Sequence, residues 1–183
     1  MRPEDRTRFP PVPVSLKDGR EAVLRLLETG DAEALADFYG ALPRETWRFY
    51  CPPRLTSIDA AKKAARALDS RLVCVVAEDA TTNQIIGYDW YTWKDEASRA
   101  SVFGICLRES HRGAGLGHAL MEQLLRIARE VGPPVMSLTV QLANPRAIAL
   151  YTKMGFRIVR QQVRKAVGYF PAEPEYYMER EAR

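Results

Sequence analysis

The stretch His111-Arg112-Gly113-Ala114-Gly115-Leu116-Gly117-His118-Ala119-Leu120 constrains this chain more than any other. Just before it, Ser101 to Leu107 is apolar and strand-forming. Just after it, Leu116, Leu120, Leu124, Ile127 and Val131 recur at helical spacing, with Glu122, Arg126, Arg129 and Glu130 on other faces. Glycines at alternate positions therefore lie between a strand and a helix N-terminus. Glycine permits positive φ and has no Cβ, so backbone N–H groups can converge on a ligand there. The unpaired amides and positive dipole end of the helix favour an anion, and Arg112 adds a fixed charge. The segment reads as a pyrophosphate cradle, with a plain tight turn as the alternative. It is not a Walker loop, because His118-Ala119 follows Gly117 where Lys and Ser/Thr would be needed, and G-x-G-x-G is not the dinucleotide fingerprint.

A second segment, Asn144 to Phe156, raises the weight of the first. Asn144 and Pro145 suit the N-cap and first position of a helix, and Gly155 a left-handed cap that returns Phe156 to the core. Between them Ala147, Leu150, Tyr151 and Met154 share one helical face. Ala147 allows close approach, Leu150 and Met154 are packing residues, and Tyr151 is either a core tyrosine or a working phenol.

Together the two segments resemble the GCN5-related N-acetyltransferase (GNAT) family. Arg112-x-x-Gly115-x-Gly117 is similar to that family's acyl-CoA pyrophosphate motif, and Asn144…Ala147…Leu150-Tyr151…Gly155-Phe156 to its second block, over about residues 14 to 180. The resemblance implies an α/β fold with a mixed central sheet of about six to seven strands, flanked by about four helices. It also implies a splay between two parallel strands, ending at Leu107 and near Val140. The pantetheine arm would lie in that gap against the backbone of Cys106 and Leu107. The diphosphate would be held by Arg112 and the Gly113-Ala114-Gly115-Leu116-Gly117 loop. Asn144 and Ala147 would support the arm, and Tyr151 would protonate the departing thiolate. A phenol of pKa near ~10 suits a sulfur whose basicity rises as its C–S bond breaks. The implied reaction is direct acetyl transfer from acetyl-CoA to an amine, with no metal and no covalent enzyme intermediate.

Composition narrows the rest. The chain's 183 residues, 46% hydrophobic and 27% charged, suit one domain, expected over 14–183. Residues 1–13, rich in proline and arginine, are expected as a mobile or extended arm. No apolar run is long enough to cross a bilayer, and no signal sequence opens the chain. Cys51, Cys74 and Cys106 lack metal or redox spacing, so reduced thiols and a cytoplasmic location are expected. A net charge of +4 is spread along the chain, which excludes the dense basic block of a nucleic-acid binder. The oligomeric expectation is monomer or homodimer.

Along the chain, Asp18-Gly19 signals a hairpin. A helix should carry Leu35, Phe38 and Tyr39, and a second, capped by Ser57 or Asp59, should run to about Leu68. Between them Trp47, Phe49 and Tyr50 either close the core or, as in the family, wall the acceptor site. Strands are expected over 72–77, 84–93, 100–107 and 135–140, with closing strands over 157–167 and 176–178.

The residues leave the general base open. The acceptor amine must be neutral to attack, while a lysine amine has a pKa near ~10.4 and an α-amine near ~8. Where family members carry a glutamate, this chain has Thr139, and it has none near Val102. Asp89 is a possible base but reads better as a surface carboxylate. Glu109 reads as exposed, and His111 and His118 as loop and helix-start residues. The opening stretch is similar to bacterial protein-lysine acetyltransferases. The tail, Tyr169-Phe170-Pro171…Glu175-Tyr176-Tyr177-Met178, is similar to N-terminal acetyltransferases. A protein or peptide amine is therefore the first expectation for the acceptor. A small amine (polyamine, amino acid or aminoglycoside) is the alternative, and a non-catalytic acyl-CoA sensor a third.

Overall fold

Asp18 and Gly19 turn the chain between strands β1 (Val12–Ser15) and β2 (Glu21–Leu26), with Gly19 at φ +86° as the tight turn requires. The computed structural model describes residues 1, 3–49, 55–166, 168 and 170–182. Six further strands follow: β3 (Leu72–Asp79), β4 (Ile85–Thr92), β5 (Ala100–Leu107), β6 (Val135–Gln141), β7 (Arg157–Arg164) and β8 (Glu173–Glu181). They form one sheet in the order β1-β2-β3-β4-β5-β6-β8-β7. Every neighbouring pair is antiparallel except β5 and β6. The sheet has eight strands against the expected six to seven, because the short hairpin strand β1 extends one edge.

Helices α2 (Ala32–Gly40) and α4 (Ser57–Ala65) cover one face of the sheet; α5 (Leu116–Ala128) and α6 (Pro145–Lys153) cover the other. Single turns α1 (Pro3–Arg6) and α3 (Arg44–Trp47) complete the described helices. The i, i+4, i+8 rhythm seen in the sequence becomes the inner face of α5: Leu116, Leu120, Leu124 and Ile127 are all fully buried. Each such side chain contributes roughly 1.5–3 kcal/mol by leaving water. On the other face Leu35, Phe38 and Tyr39 of α2 pack with Ala60 and Ala64 of α4 over Val76 and Tyr88. The α4 cap is Thr56, one residue before the first expected cap, in a capping box with Asp59.

The segment expected as a loose arm is anchored. Met1 and Phe9 are buried in the α5-side core, the chain's N-terminal nitrogen donates to Leu72 O at 2.8 Å, and β1 already begins at Val12.

The one parallel pair is where the sheet opens. β5 and β6 pair at Ala100–Val135, Ser101–Met136 and Val102–Ser137, and no further. Ser137 Oγ donates to Ser101 O at 2.8 Å and pins the last paired rung. Beyond it β5 stays with β4 through Leu107, while β6 stays with β8 through Gln141. The edge of β5 from Phe103 to Leu107 is left without a β6 partner.

Candidate active site

The glycine loop has the backbone an anion site needs. Gly113 and Gly115 take φ +83° and +93°, and Gly115 is the N-cap of α5. Among the described residues, the amides of residues 113 to 117 donate to no backbone or side-chain acceptor, whereas Arg112 N and His118 N, on either side, do. A run of unpaired N–H groups at a helix N-terminus is a nest for phosphate oxygens. A Cβ at Gly113 would meet nothing within 4 Å, so the loop stands open to a ligand. Gly117 has another task. A Cβ there would lie 3.2 Å from Leu107 and 3.3 Å from Leu150, so its smallness lets the loop, the end of β5 and α6 close on one another. Ala114 is buried, and its carbonyl accepts from Lys17 N at 2.9 Å.

That contact introduces a residue the sequence did not single out. The Lys17 side chain lies 3.6–3.9 Å from where a Gly115 Cβ would stand, so a second cation overlooks the nest. Arg112 Nη1 lies 3.5 Å from Glu109 Oε1. Arg20 donates to Ser110 O at 2.8 Å and holds the hairpin against the loop. His111 is buried, with Nδ1 3.0 Å from Ser110 Oγ and a pKa lowered chiefly by desolvation, then by Arg20. His118 Nε2 lies 3.3 Å from Glu122. Both histidines are parts of the loop and helix start, as read from the sequence, and Glu109 is exposed.

From this loop the free edge of β5 leads into a cleft of about 330 Å³ opened by the splay. Cys106 and Tyr151 both line it, so two residues far apart in sequence meet where the strands part. Tyr151 belongs to the α5-side core, edge-on to Phe103 with ring centroids 5.9 Å apart, yet reaches the cleft. Tyr151 thus answers to both readings: its ring is core, and its position is at the cleft. Asn144 Oδ1 accepts from Ala147 N at 3.2 Å, so this side chain caps α6 as predicted. Leu107, Asn144 and Ala147 are half-buried around the cleft, not along its wall.

The remainder of the wall carries few charged groups. Thr139 and Val102, the two positions at which a glutamate was sought, both line it. Among the described lining residues Asp59 is the one carboxylate, and it is bound to Thr56 N at 3.0 Å and Thr56 Oγ1 at 2.6 Å. Asp89 is neither base nor surface carboxylate. It is 0% exposed, flanked in register by Val75 and Ile105, and neither oxygen has a hydrogen-bond partner among the described residues. Burial pushes its pKa well above the usual carboxylate range. It shares its sheet face with Tyr91, toward α5 and away from the cleft that Tyr88 and Trp90 line.

The aromatics divide. Phe49 lines the cleft and Trp47 packs on the α2/α4 core, while Tyr50 lies outside the described residues, as do Cys51 and Tyr169. In the tail, Tyr176 packs on the α5-side core and Tyr177 faces the cleft, its ring 3.9 Å from the Arg160 guanidinium and its hydroxyl donating to Glu179 at 2.8 Å. Strand alternation therefore sends these neighbouring tail aromatics to opposite faces of the sheet. Arg48 and Arg164 both bond Glu173, at 2.6 and 3.2 Å, and tie α3 to the closing hairpin beside the cleft. Cys74 and Cys106 are buried and in no disulfide; desolvation pushes the Cys74 thiol up to about 12. Among the described residues there is no cluster of metal-ligating side chains, and no helix is long and apolar enough to cross a membrane.

Comparison with known proteins agrees with this geometry. The model of the acetyltransferase (GNAT) family matches residues 33–156. A mycothiol acetyltransferase of Propionibacterium freudenreichii is 30% identical over 66% of this chain, and an L-methionine sulfoximine/L-methionine sulfone acetyltransferase of Pseudomonas paraeruginosa is 34% identical over 48% of it. The matches span 38% and 52% of those relatives' own lengths. The spermidine N-acetyltransferase of Vibrio cholerae, solved with CoA and spermine, is 21% identical. It shares the fold with a TM-score of 0.72, over 88% of this chain and 95% of its own. The chain belongs to the GNAT acetyltransferase family.

Proposed function

We propose that this GNAT-family chain transfers acetyl from acetyl-CoA to the amine of a small molecule, in preference to the protein or peptide amine that its opening and closing stretches suggested. The observation that carries this reading is the cleft at the splay. It has the volume of a small-molecule site, about 330 Å³, and Phe49, Leu55, Arg164 and Tyr177 are among the residues that line it. The names of the relatives, mycothiol and methionine sulfoximine acetyltransferases, support it.

In this reading the amides of residues 113 to 117, with Arg112 and Lys17, bind the diphosphate of acetyl-CoA. The unpartnered edge of β5 at Cys106 and Leu107 receives the pantetheine arm as an added strand. A backbone N–H on that edge stabilises the oxyanion as the neutral amine attacks. The C–N bond forms in that attack, and collapse of the tetrahedral oxyanion then breaks the C–S bond. Tyr151 delivers its phenolic proton to the leaving sulfur, and the proton of the attacking amine passes to solvent. Neither step needs a carboxylate on the cleft wall, which fits an acceptor that arrives partly neutral.

The test is thiol release from acetyl-CoA over a panel of amino acids, polyamines, aminoglycosides, peptides and lysine-bearing proteins. Turnover of small amines is expected; turnover confined to peptides or proteins would overturn the assignment.

A further inference from the structure

One cation at the cleft has no part in the chemistry above. Lys63 on α4 lays its stem across β4, and its ammonium lies 5.0 Å from the ring centroids of both Tyr88 and Trp90. Among the described residues it makes no hydrogen bond and no ion pair. Asp59, one turn earlier on the same helix, spends its carboxylate on Thr56. Two aromatic faces offset only part of what an ammonium loses on leaving water.

Two more cations stand near Lys63, one of which, Arg66, is paired with Asp69 at 3.0 Å. A second recess of about 260 Å³ shares Asp59, Lys63 and Trp90 with the main cleft, and Lys62 and Arg66 line it as well. Register fixes the position of Lys63 along the site. Trp90 pairs with Gly104 and Tyr88 with Cys106, on the stretch of β5 that lacks a β6 partner. The Trp90 indole lies over Gly104, where an added Cβ would come within 2.8 Å of it. Lys63 therefore stands above the part of β5 that would present the acyl group.

We propose that Lys63 is the specificity-determining residue for an acceptor whose carboxylate sits beside its amine, an α-amino acid. The inference rests on the small-molecule reading above and names its substrate class. In an α-amino acid a single carbon separates the two groups, so the anchor for the carboxylate must lie next to the site of transfer, as Lys63 does. An arriving carboxylate gives the ammonium its missing charged partner in a desolvated slot, where charge-assisted hydrogen bonds are strongest. Desolvation lowers the Lys63 pKa in the free protein, with Arg66 adding to it, and a bound carboxylate restores the charged form. A polyamine would bring further cations against Lys62 and Lys63 and leave the Lys63 ammonium without a carboxylate partner.

The experiment compares kcat and KM for L-leucine, L-methionine sulfone and L-glutamate, each against its decarboxylated amine. The proteins compared are the unaltered chain, Lys63→Met, which keeps an apolar stem in the slot, and Lys63→Arg, which keeps the charge. The unaltered chain is expected to prefer at least one amino acid over its amine. Lys63→Met should raise the KM for that amino acid by about tenfold or more while kcat and the KM for the amine change little. Lys63→Arg should retain most of the preference. Acetyl-CoA binding, read separately, should be equal in all three proteins and so verifies folding. An equal fall in kcat on both members of a pair would overturn the inference and make Lys63 a base; an unchanged preference would overturn it too. Turnover of other small amines but of no amino acid would sink the inference and leave the small-molecule reading standing. Turnover of peptides or proteins alone would remove both.

Discussion

Tyr151 carries the chemical expectation at the scale of single residues. Tyr151→Phe keeps the ring edge-on to Phe103 and removes only the hydroxyl, so kcat should fall about a hundredfold with little change in acetyl-CoA affinity. Steady-state kinetics beside equilibrium CoA binding would show it, and unchanged turnover would remove the phenol from the mechanism. Lys17 is the cation that only the fold reveals. Lys17→Ala should weaken CoA binding by about threefold to tenfold, more in low salt than in high, since the group is exposed and screened. Isothermal titration at two ionic strengths measures this. Gly115 is a poorer probe of the nest, because at φ +93° any side chain adds backbone strain of roughly 1–2 kcal/mol whether or not a ligand is near.

The functional unit at the scale of elements is the β4–β5 pair beside the splay, not either strand alone. β5 offers its edge because β6 leaves it after Val102, and β4 supplies Tyr88 and Trp90 to the acceptor side. Gly104 joins the two, since its missing Cβ is what lets the Trp90 indole lie flat across β5. Gly104→Ala should push the indole out of place and raise acceptor KM severalfold while CoA affinity holds. A parallel loss of CoA affinity would mean that β5 itself had shifted. On the opposite face, α5 was legible as an element because its apolar rhythm and its glycine cap are both local patterns. The start of α4 was less so: Ser57, Asp59 and Thr56 are all competent caps, and the choice fell to Thr56 through its reciprocal bonds with Asp59.

Asp89 sets the expectation at the scale of the whole molecule. Its folded-state pKa is raised above the unfolded value by burial, so above about pH 4 the native state binds more protons than the unfolded one, and stability falls as pH rises. Asp89→Val, matched to Val75 and Ile105 beside it, should therefore stabilise the protein by about 1–3 kcal/mol at pH 8, with the difference shrinking toward pH 4. Denaturant unfolding at the two pH values checks this, and equal effects at both would point to packing alone. By itself the sequence determined what depends on neighbours along the chain. Those features are the glycine nest before α5, the Asn144-Pro145 cap, the face that joins Ala147 to Tyr151, and the strands of one mixed sheet. Backbone conformation, capping and periodicity are short-range, so they are written locally. The tertiary structure alone decided what depends on register and on which way a strand residue faces. It buried Asp89, split Tyr176 from Tyr177 across the sheet, laid Lys17 over the loop and anchored Met1 beneath it all. It also set Lys63 between Tyr88 and Trp90, because a lysine on a helix acquires a meaning only when α4 settles onto a particular pair of rings.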